Sequence, residues 1–200
     1  MQISARNSPR LLFDEATSLR EFCSSEYARS ILPNTAISGS VPPAIDLEAE
    51  ARLIEALVTL AGQGLLASAH DLSDGGLAVA LAECAFGSDG LGAVADVQTG
   101  GPAAFDLFGE TGARAIVTCP ESALADLLRD ASKCRVTART IGRVTRGDFH
   151  LRHNGATIIR DTVENLRHIW TGALERAVLG SDAVEHSAPG LPASNHQDRG

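Results

Sequence analysis

The sequence predicts an α+β fold, an α/β layered arrangement in which a mixed β-sheet is packed with helices. Three observations carry that prediction. Apolar segments with helical period alternate along the chain with short β-rich runs, the pattern of helices layered on a sheet. Two strand-like runs meet at Arg146-Gly147, which reads as a hairpin and so excludes a purely parallel sheet. The 200 residues are 44% hydrophobic and 21% charged, enough apolar material for the core of one domain.

Residues 1–23 read as a loose lead-in, polar up to Arg10, with a strand remnant at Leu11 to Phe13. Thr17 to Leu32 has the spacing of a helix, stopped by Pro33-Asn34. Thr35 to Ile45 is a Gly/Ser/Pro linker whose Pro42-Pro43 favours extended backbone. Asp46 then caps a long helix with Glu48 and Glu50 in its first turn and a stop at Gly62 or Gly64. Leu65 to Ala69 reads as a short buried strand, His70 to Asp74 as an acidic loop, and the apolar run after Gly75-Gly76 as a helix. Gly92 to Val97 and Ala113 to Cys119 are strands, with a polar-tipped segment at Asp106 to Thr111 between them. Pro120 opens the helix Glu121 to Ser132. Val136 to Val144 and Asp148 to Ile159 are the two strands of the expected hairpin. Asp161 or Thr162 caps a last helix to Leu179 that buries Leu166, Ile169, Trp170 and Leu174. Residues 180–200 have little to bury and read as a disordered tail, leaving 24–179 as the domain.

The net charge of −8 disfavours nucleic acid and anionic membrane as partners. Cys23, Cys84, Cys119 and Cys134 show no metal-binding spacing, and Cys84 reads as a reduced, buried thiol. With neither a signal-peptide pattern nor an apolar run of the roughly 18 residues needed to span a bilayer, a cytoplasmic location is expected. His150 and His153, three apart in a strand, fall on opposite faces; they make a poor metal pair and read as surface histidines.

The functional residue types concentrate between Leu65 and Glu83. Asp71 and Asp74 are hard-cation ligand types, and His70 bonds, ligates or titrates near neutrality. Gly75 and Gly76 permit a sharp turn or close approach, and a helix N-terminus facing the loop suits an anion or a magnesium–phosphate pair. The alternative is purely structural: Ser73 or Asp74 caps the helix and the glycines allow close packing. Phe108 to Thr111, followed by Arg114, is a second polar cluster, read on its own as a turn with an exposed carboxylate.

The run SAHDLSDGGLAVALAECAF resembles the C-terminal half of the phosphoribosylformylglycinamidine synthase family. Ser25-Glu26-Tyr27, PPAIDLEAEARL at Pro42 to Leu53, and LFGETGAR at Leu107 to Arg114 resemble further segments of that family in the same order. The resemblance implies a fold like the aminoimidazole ribonucleotide synthetase C-terminal domain. It implies a part in the ATP-dependent conversion of formylglycinamide ribonucleotide to its amidine, in purine biosynthesis, with ammonia from a glutaminase subunit or domain. By pseudo-symmetry it makes Asp71 a magnesium ligand and assigns His70, Asp74, Gly75, Gly76 and Glu110 to the ATP/ADP site. Where the family has Glu-Ser-Gln, this chain has Glu110-Thr111-Gly112, and Gly112 offers no side chain to a substrate. Nothing here resembles the family's N-terminal-type domain, so the chain reads as a fragment or split subunit, inactive alone, whose expected partners are the missing synthetase domains, a glutaminase subunit or domain, and a second copy of itself in a homodimer. The alternative is a non-catalytic binding or dimerisation module of the same fold.

Overall fold

A computed structural model describes residues 9–13, 19–31 and 40–179. It contains a seven-stranded mixed sheet in the order β2-β4-β1-β5-β3-β6-β7. The strands are β1 (Pro9–Phe13), β2 (Ser68–Asp71), β3 (Leu91–Val97), β4 (Ala115–Thr118), β5 (Ala138–Arg146), β6 (Asp148–His153) and β7 (Ala156–Thr162). The helices are α1 (Leu19–Phe22), α2 (Glu26–Ile31), α3 (Leu47–Gly62), α4 (Gly76–Phe86), α5 (Ala103–Phe108), α6 (Leu124–Lys133), α7 (Val163–Thr171) and α8 (Ala173–Leu179). By contacts the chain divides into two compact units, 1–164 and 165–200.

The expected α+β class holds, and α3 is the element the sequence specifies best. Asp46 Oδ1 accepts the N–H groups of Glu48 and Ala49, each at 2.9 Å. At the other end Gly64 takes φ +71°, and the N–H groups of Gly64 and Leu65 close on the carbonyls of Ala61 and Leu60. That paired closure requires a left-handed residue, which glycine supplies without strain. Leu53 and Leu60 of α3 pack with Leu127 and Ala131 of α6 against Leu11, Ala115 and Val117 of the sheet. On β1, an interior strand of the sheet, Leu11 and Leu12 are both fully buried. Successive strand residues face opposite ways, so both faces are covered there. α4 packs on β3 and α5.

Several expectations are corrected. The lead-in is not loose throughout: the strand expected at Leu11 to Phe13 is β1, an interior strand between β4 and β5; two leucines buried on opposite faces hold it there. The helix expected over 17–32 breaks into α1 and α2 at Cys23–Ser25, where Ser24 Oγ and the Ser24 and Ser25 N–H groups bond back to Glu21 and Phe22 carbonyls. The strand expected to be buried at 65–69 is β2, shifted to Ser68–Asp71 and largely exposed, because among the described residues it is an edge strand paired with β4 alone. His70 and Asp71 are therefore strand residues rather than loop residues. Cys84 is half-buried, and the buried thiol is Cys119.

The hairpin at Arg146-Gly147 does not exist either. β3 inserts between β5 and β6, antiparallel to the first (Leu91↔Arg146) and parallel to the second (Ala93↔Phe149). The insertion depends on missing side chains: a Cβ at Gly92 would overlap the Asp148 carbonyl oxygen, and one at Gly142 the Val94 carbonyl oxygen. The true hairpin joins β6 to β7 through Asn154 (φ +50°) and Gly155 (φ +81°), a two-residue loop whose left-handed backbone matches strand twist.

In the second unit the helix expected to run unbroken to Leu179 ends at Thr171 and restarts at Ala173. Trp170 is 55% and Leu174 75% exposed rather than buried. The expectation of a disordered tail at 180–200 falls outside the described residues, as do residues 35–39 of the linker; residues 40–46 carry no regular structure.

Candidate functional site

The segments singled out in the sequence converge on one carboxylate. Glu110 follows α5 and precedes β4, and its Oε1 accepts the Gly75 N–H at 2.7 Å and the Glu26 N–H at 2.9 Å. A carboxylate thus sits at the N-termini of α4 and α2 together, where the helix dipoles and unpaired N–H groups favour negative charge. Around it the packing is close. The Tyr27 and Phe108 rings stack at 4.0 Å, and Phe22 stacks on Phe105 at 4.4 Å. A Cβ on Gly76 would stand 2.6 Å from the Gly109 carbonyl oxygen. The buried Arg114 braces the turn from inside, donating through Nη1 to the Gly109 carbonyl (3.0 Å) and through Nη2 to that of Asp106 (3.3 Å).

A second carboxylate holds the next stretch. Glu50, in the first turn of α3, accepts the Ala113 N–H at 2.6 Å. A Cβ at Gly112 would lie 2.5 Å from that same Glu50 oxygen, so the side chain missing here is what admits Glu50. Sequence reasoning gave Glu50 only a helix-dipole role. The signal available was its place inside the PPAIDLEAEARL segment, matched alongside LFGETGAR.

Two N–H groups at the N-terminus of α4 already have partners within the fold. Gly75 (φ +79°) is its N-cap and carries no side-chain cap, so neither Ser73 nor Asp74 caps the helix. The Gly76 N–H bonds to the Ser73 carbonyl at 3.0 Å, and Gly76, Leu77 and Ala78 are buried. The cap is Glu110, supplied from another segment. Gly75 and Gly76 take left-handed backbone and allow close packing at this turn.

The other predicted residues form an acidic rim on β2 and the turn after it. Asp71 is 81% exposed, and His70 Nδ1 donates to the Asp71 carbonyl at 2.6 Å while Nε2 lies 3.8 Å from Glu83. Asp74 is exposed. A groove of about 430 Å³ opens beside them, lined by Glu50, Ile54, Leu57, His70, Asp71 and Arg114 among others. That volume suits a small molecule. Among the described residues no three His, Cys, Asp or Glu side chains are placed to enclose a metal ion. The oxygen chemistry of Asp71 fits magnesium only as one protein ligand to an ion whose other ligands are phosphate oxygens and water, a common arrangement for that ion.

His153 is not a surface histidine. It is 8% exposed, and its Nε2 lies 2.8 Å from Asp106 Oδ2 and 3.0 Å from Thr99 Oγ1, with the Thr99 hydroxyl also on Asp106. Both contacts use the same ring nitrogen, so the cluster lacks the relay of a nucleophile–base–acid triad, which needs both nitrogens. Its role is to fasten the β6–β7 turn to the end of β3, aided by paired bonds between Asn154 and the Thr99 backbone at 3.0 Å.

Comparison with known proteins gives consistent results. Residues 18–154 match the family described as AIR synthase related protein, C-terminal domain. The chain is 37% identical over 134 residues to the phosphoribosylformylglycinamidine synthase subunit PurL of Caldanaerobacter subterraneus subsp. tengcongensis, covering 67% of this chain and 18% of that protein. It is 38% identical over 146 residues to the same subunit of Chlorobium luteolum, covering 70% of this chain and 19% of the other. The chain therefore spans about a fifth of the length of these curated relatives. Among solved structures, PurLQS from Thermotoga maritima superposes with a TM-score of 0.67 at 19% identity, covering 83% of this chain and 27% of that one. T. maritima PurL complexed with FGAR gives a TM-score of 0.67 at 21% identity, covering 83% of this chain and 29% of that one. These likenesses establish the fold.

Proposed function

The chain belongs to the family of AIR synthase related protein C-terminal domains, and on that premise we propose that it acts as the C-terminal synthetase-type domain of a phosphoribosylformylglycinamidine synthase. Its contribution is to the ATP-dependent conversion of formylglycinamide ribonucleotide to the amidine in purine biosynthesis, as part of a cytoplasmic assembly. The observation that carries this reading is convergence: the segments resembling that family meet at the Glu110 and Glu50 carboxylates, next to the Asp71 rim.

In this reading the residues divide in two. Glu110, Gly75 and Gly76 shape the turn that presents Asp74, while Asp71 and His70 face the groove. Asp71 is the residue that would hold magnesium, and the ion supplies charge neutralisation for the phosphates of ATP or ADP when bound. The acidic rim repels phosphate that arrives without a cation. His70, tied through Nδ1 to the Asp71 carbonyl, orients that strand end.

The partners follow from what the face leaves open. Among the described residues the outer edge of β2 is unpaired, and Ile54 of α3, which lines the same groove, is 59% exposed. An exposed strand edge flanked by apolar side chains suits burial against neighbouring synthetase domains. A glutaminase supplies ammonia to such an assembly, and alone the chain is inactive. Co-expression with the remaining synthetase domains, followed by assay of ATP-dependent amidine formation, tests the reading. Restored turnover is expected, with Asp71→Asn weakening magnesium-dependent nucleotide affinity at unchanged melting temperature. Turnover by the isolated chain, or assembly without any activity, would overturn it.

A further inference from the structure

A second cavity, of about 80 Å³, lies across the Glu50–Ala113 contact from the groove, between α3, Ala113 and the α6–β5 connection. Two arginines, Arg52 and Arg135, line it together with Thr137. Most other basic side chains around the core are engaged: Arg129 and Lys133 with Asp130, Arg152 with Asp96, Arg139 with the Gln98 carbonyl. Arg52 has only a loose ion pair, 3.6 Å to a Glu48 side chain that is 91% exposed. Arg135 has no hydrogen bond or ion pair from its side chain among the described residues. Glu50, the other acid nearby, is committed to the Ala113 N–H.

The backbone at this cavity is also unusual. Among the described residues three non-glycine positions have positive φ, and two of them, Ala113 (+54°) and Arg135 (+58°), line it. Arg135 occupies the position after α6 where glycine costs least: the Val136 and Arg135 N–H groups close on the Ala131 and Ser132 carbonyls. A side chain that bears strain in a glycine position, and is a cation with no partner among the described residues, is matched to something outside the fold.

We propose that Arg52, Arg135 and Thr137 form a binding site for a phosphoryl oxyanion, distinct from the acidic groove and independent of the domain's role in the synthase. Two guanidinium forks and a hydroxyl meet the donor needs of a tetrahedral anion, and a cavity of about 80 Å³ has room for a phosphoryl group.

Calorimetric titration of the full chain with inorganic phosphate at fixed ionic strength tests this. One site is expected, and Arg52→Gln should weaken binding at least about tenfold, the effect of one lost charge-assisted contact. Arg135→Gly should weaken it equally while the melting temperature holds within about 2 °C, because glycine adopts that backbone without strain. Arg143→Gln, further along β5, should leave affinity unchanged. Glycerol phosphate separates the sources: equal affinity assigns the site to a phosphoryl group on a larger molecule, and loss of affinity assigns it to the free ion. No saturable binding, displacement by equimolar chloride, or full affinity in Arg135→Gly would overturn the proposal.

Discussion

Removing the Glu110 side chain tests the clamp at the centre of the site. In Glu110→Ala, the half-buried Gly75 N–H loses its acceptor, as does the exposed Glu26 N–H. A hydrogen bond to a charged group contributes about 1.5–3 kcal/mol, and loss of an N-cap costs about 0.5–2 kcal/mol. The Glu26 bond is open to water, which replaces most of it, so the expected total is about 2–3 kcal/mol. For a domain of this size each kcal/mol moves the melting temperature by about 2–4 °C, which places the drop at roughly 5–10 °C. Glu110→Gln keeps an acceptor oxygen and should lose about half as much. Thermal melts followed by circular dichroism give the totals, and hydrogen exchange at the Gly75 and Glu26 amides locates the effect. A Glu110→Ala protein that melts within about 2 °C of wild type, with both amides still protected, would refute the clamp.

Four other outcomes are expected. Asp74→Ala should change stability by less than about 0.5 kcal/mol, because Asp74 is exposed and caps nothing; a cost near 1 kcal/mol in urea titration would restore it as a cap. Gly92→Ala should destabilise by about 3 kcal/mol or more, since its Cβ meets backbone that cannot yield, and soluble expression at wild-type melting temperature would contradict the β3 insertion. The Cys119 thiol is pushed up by burial and then by Glu121, so it stays protonated at neutral pH; thiol titration of the native protein should label it only after unfolding. The Lys133 ammonium, 2.6 Å away, holds Asp130 below the usual carboxylate range. A carboxyl group depressed on folding contributes stability above its unfolded value and loses it as pH falls through the folded value, so this contribution should fade below about pH 4. Asp130→Asn should flatten that part of the acid unfolding curve, and an unchanged curve would remove the pair from the account.

What was legible in the sequence was local. Asp46, the leucine stripe and Gly64 specify α3 within one short stretch, and Pro120 does the same ahead of α6. Hairpin chemistry is equally local, but Asn154-Gly155 lies inside a run that reads as one long strand, whereas Arg146-Gly147 has the look of a turn between two strands. The rest depends on partners distant in the chain. β1 is five residues long and gains its place from β4 and β5. Period-two reasoning correctly separated His150 from His153, yet only the arrival of Asp106 from α5 decides that the second is buried. At the site, the residue types of the acidic turn were visible, whereas its cap comes from a carboxylate 35 residues away.

The interior position of β1 bears on how the polypeptide reaches this state. Leu12 pairs with Ile116 on one side and Arg139 on the other, so the strand made first waits for the ones made much later. At ribosomal speeds that interval is roughly 5–20 s, far longer than helix formation or collapse. Until β1 docks, β4 with β2 and β5 with its neighbours are two half-sheets with raw inner edges, and Leu11 and Leu12 are exposed to any other nascent chain. Pairings so remote in sequence also slow folding itself. Chaperone occupancy during synthesis should therefore persist until the segment through β5 has emerged, and fall when the β1 segment is transplanted to follow it.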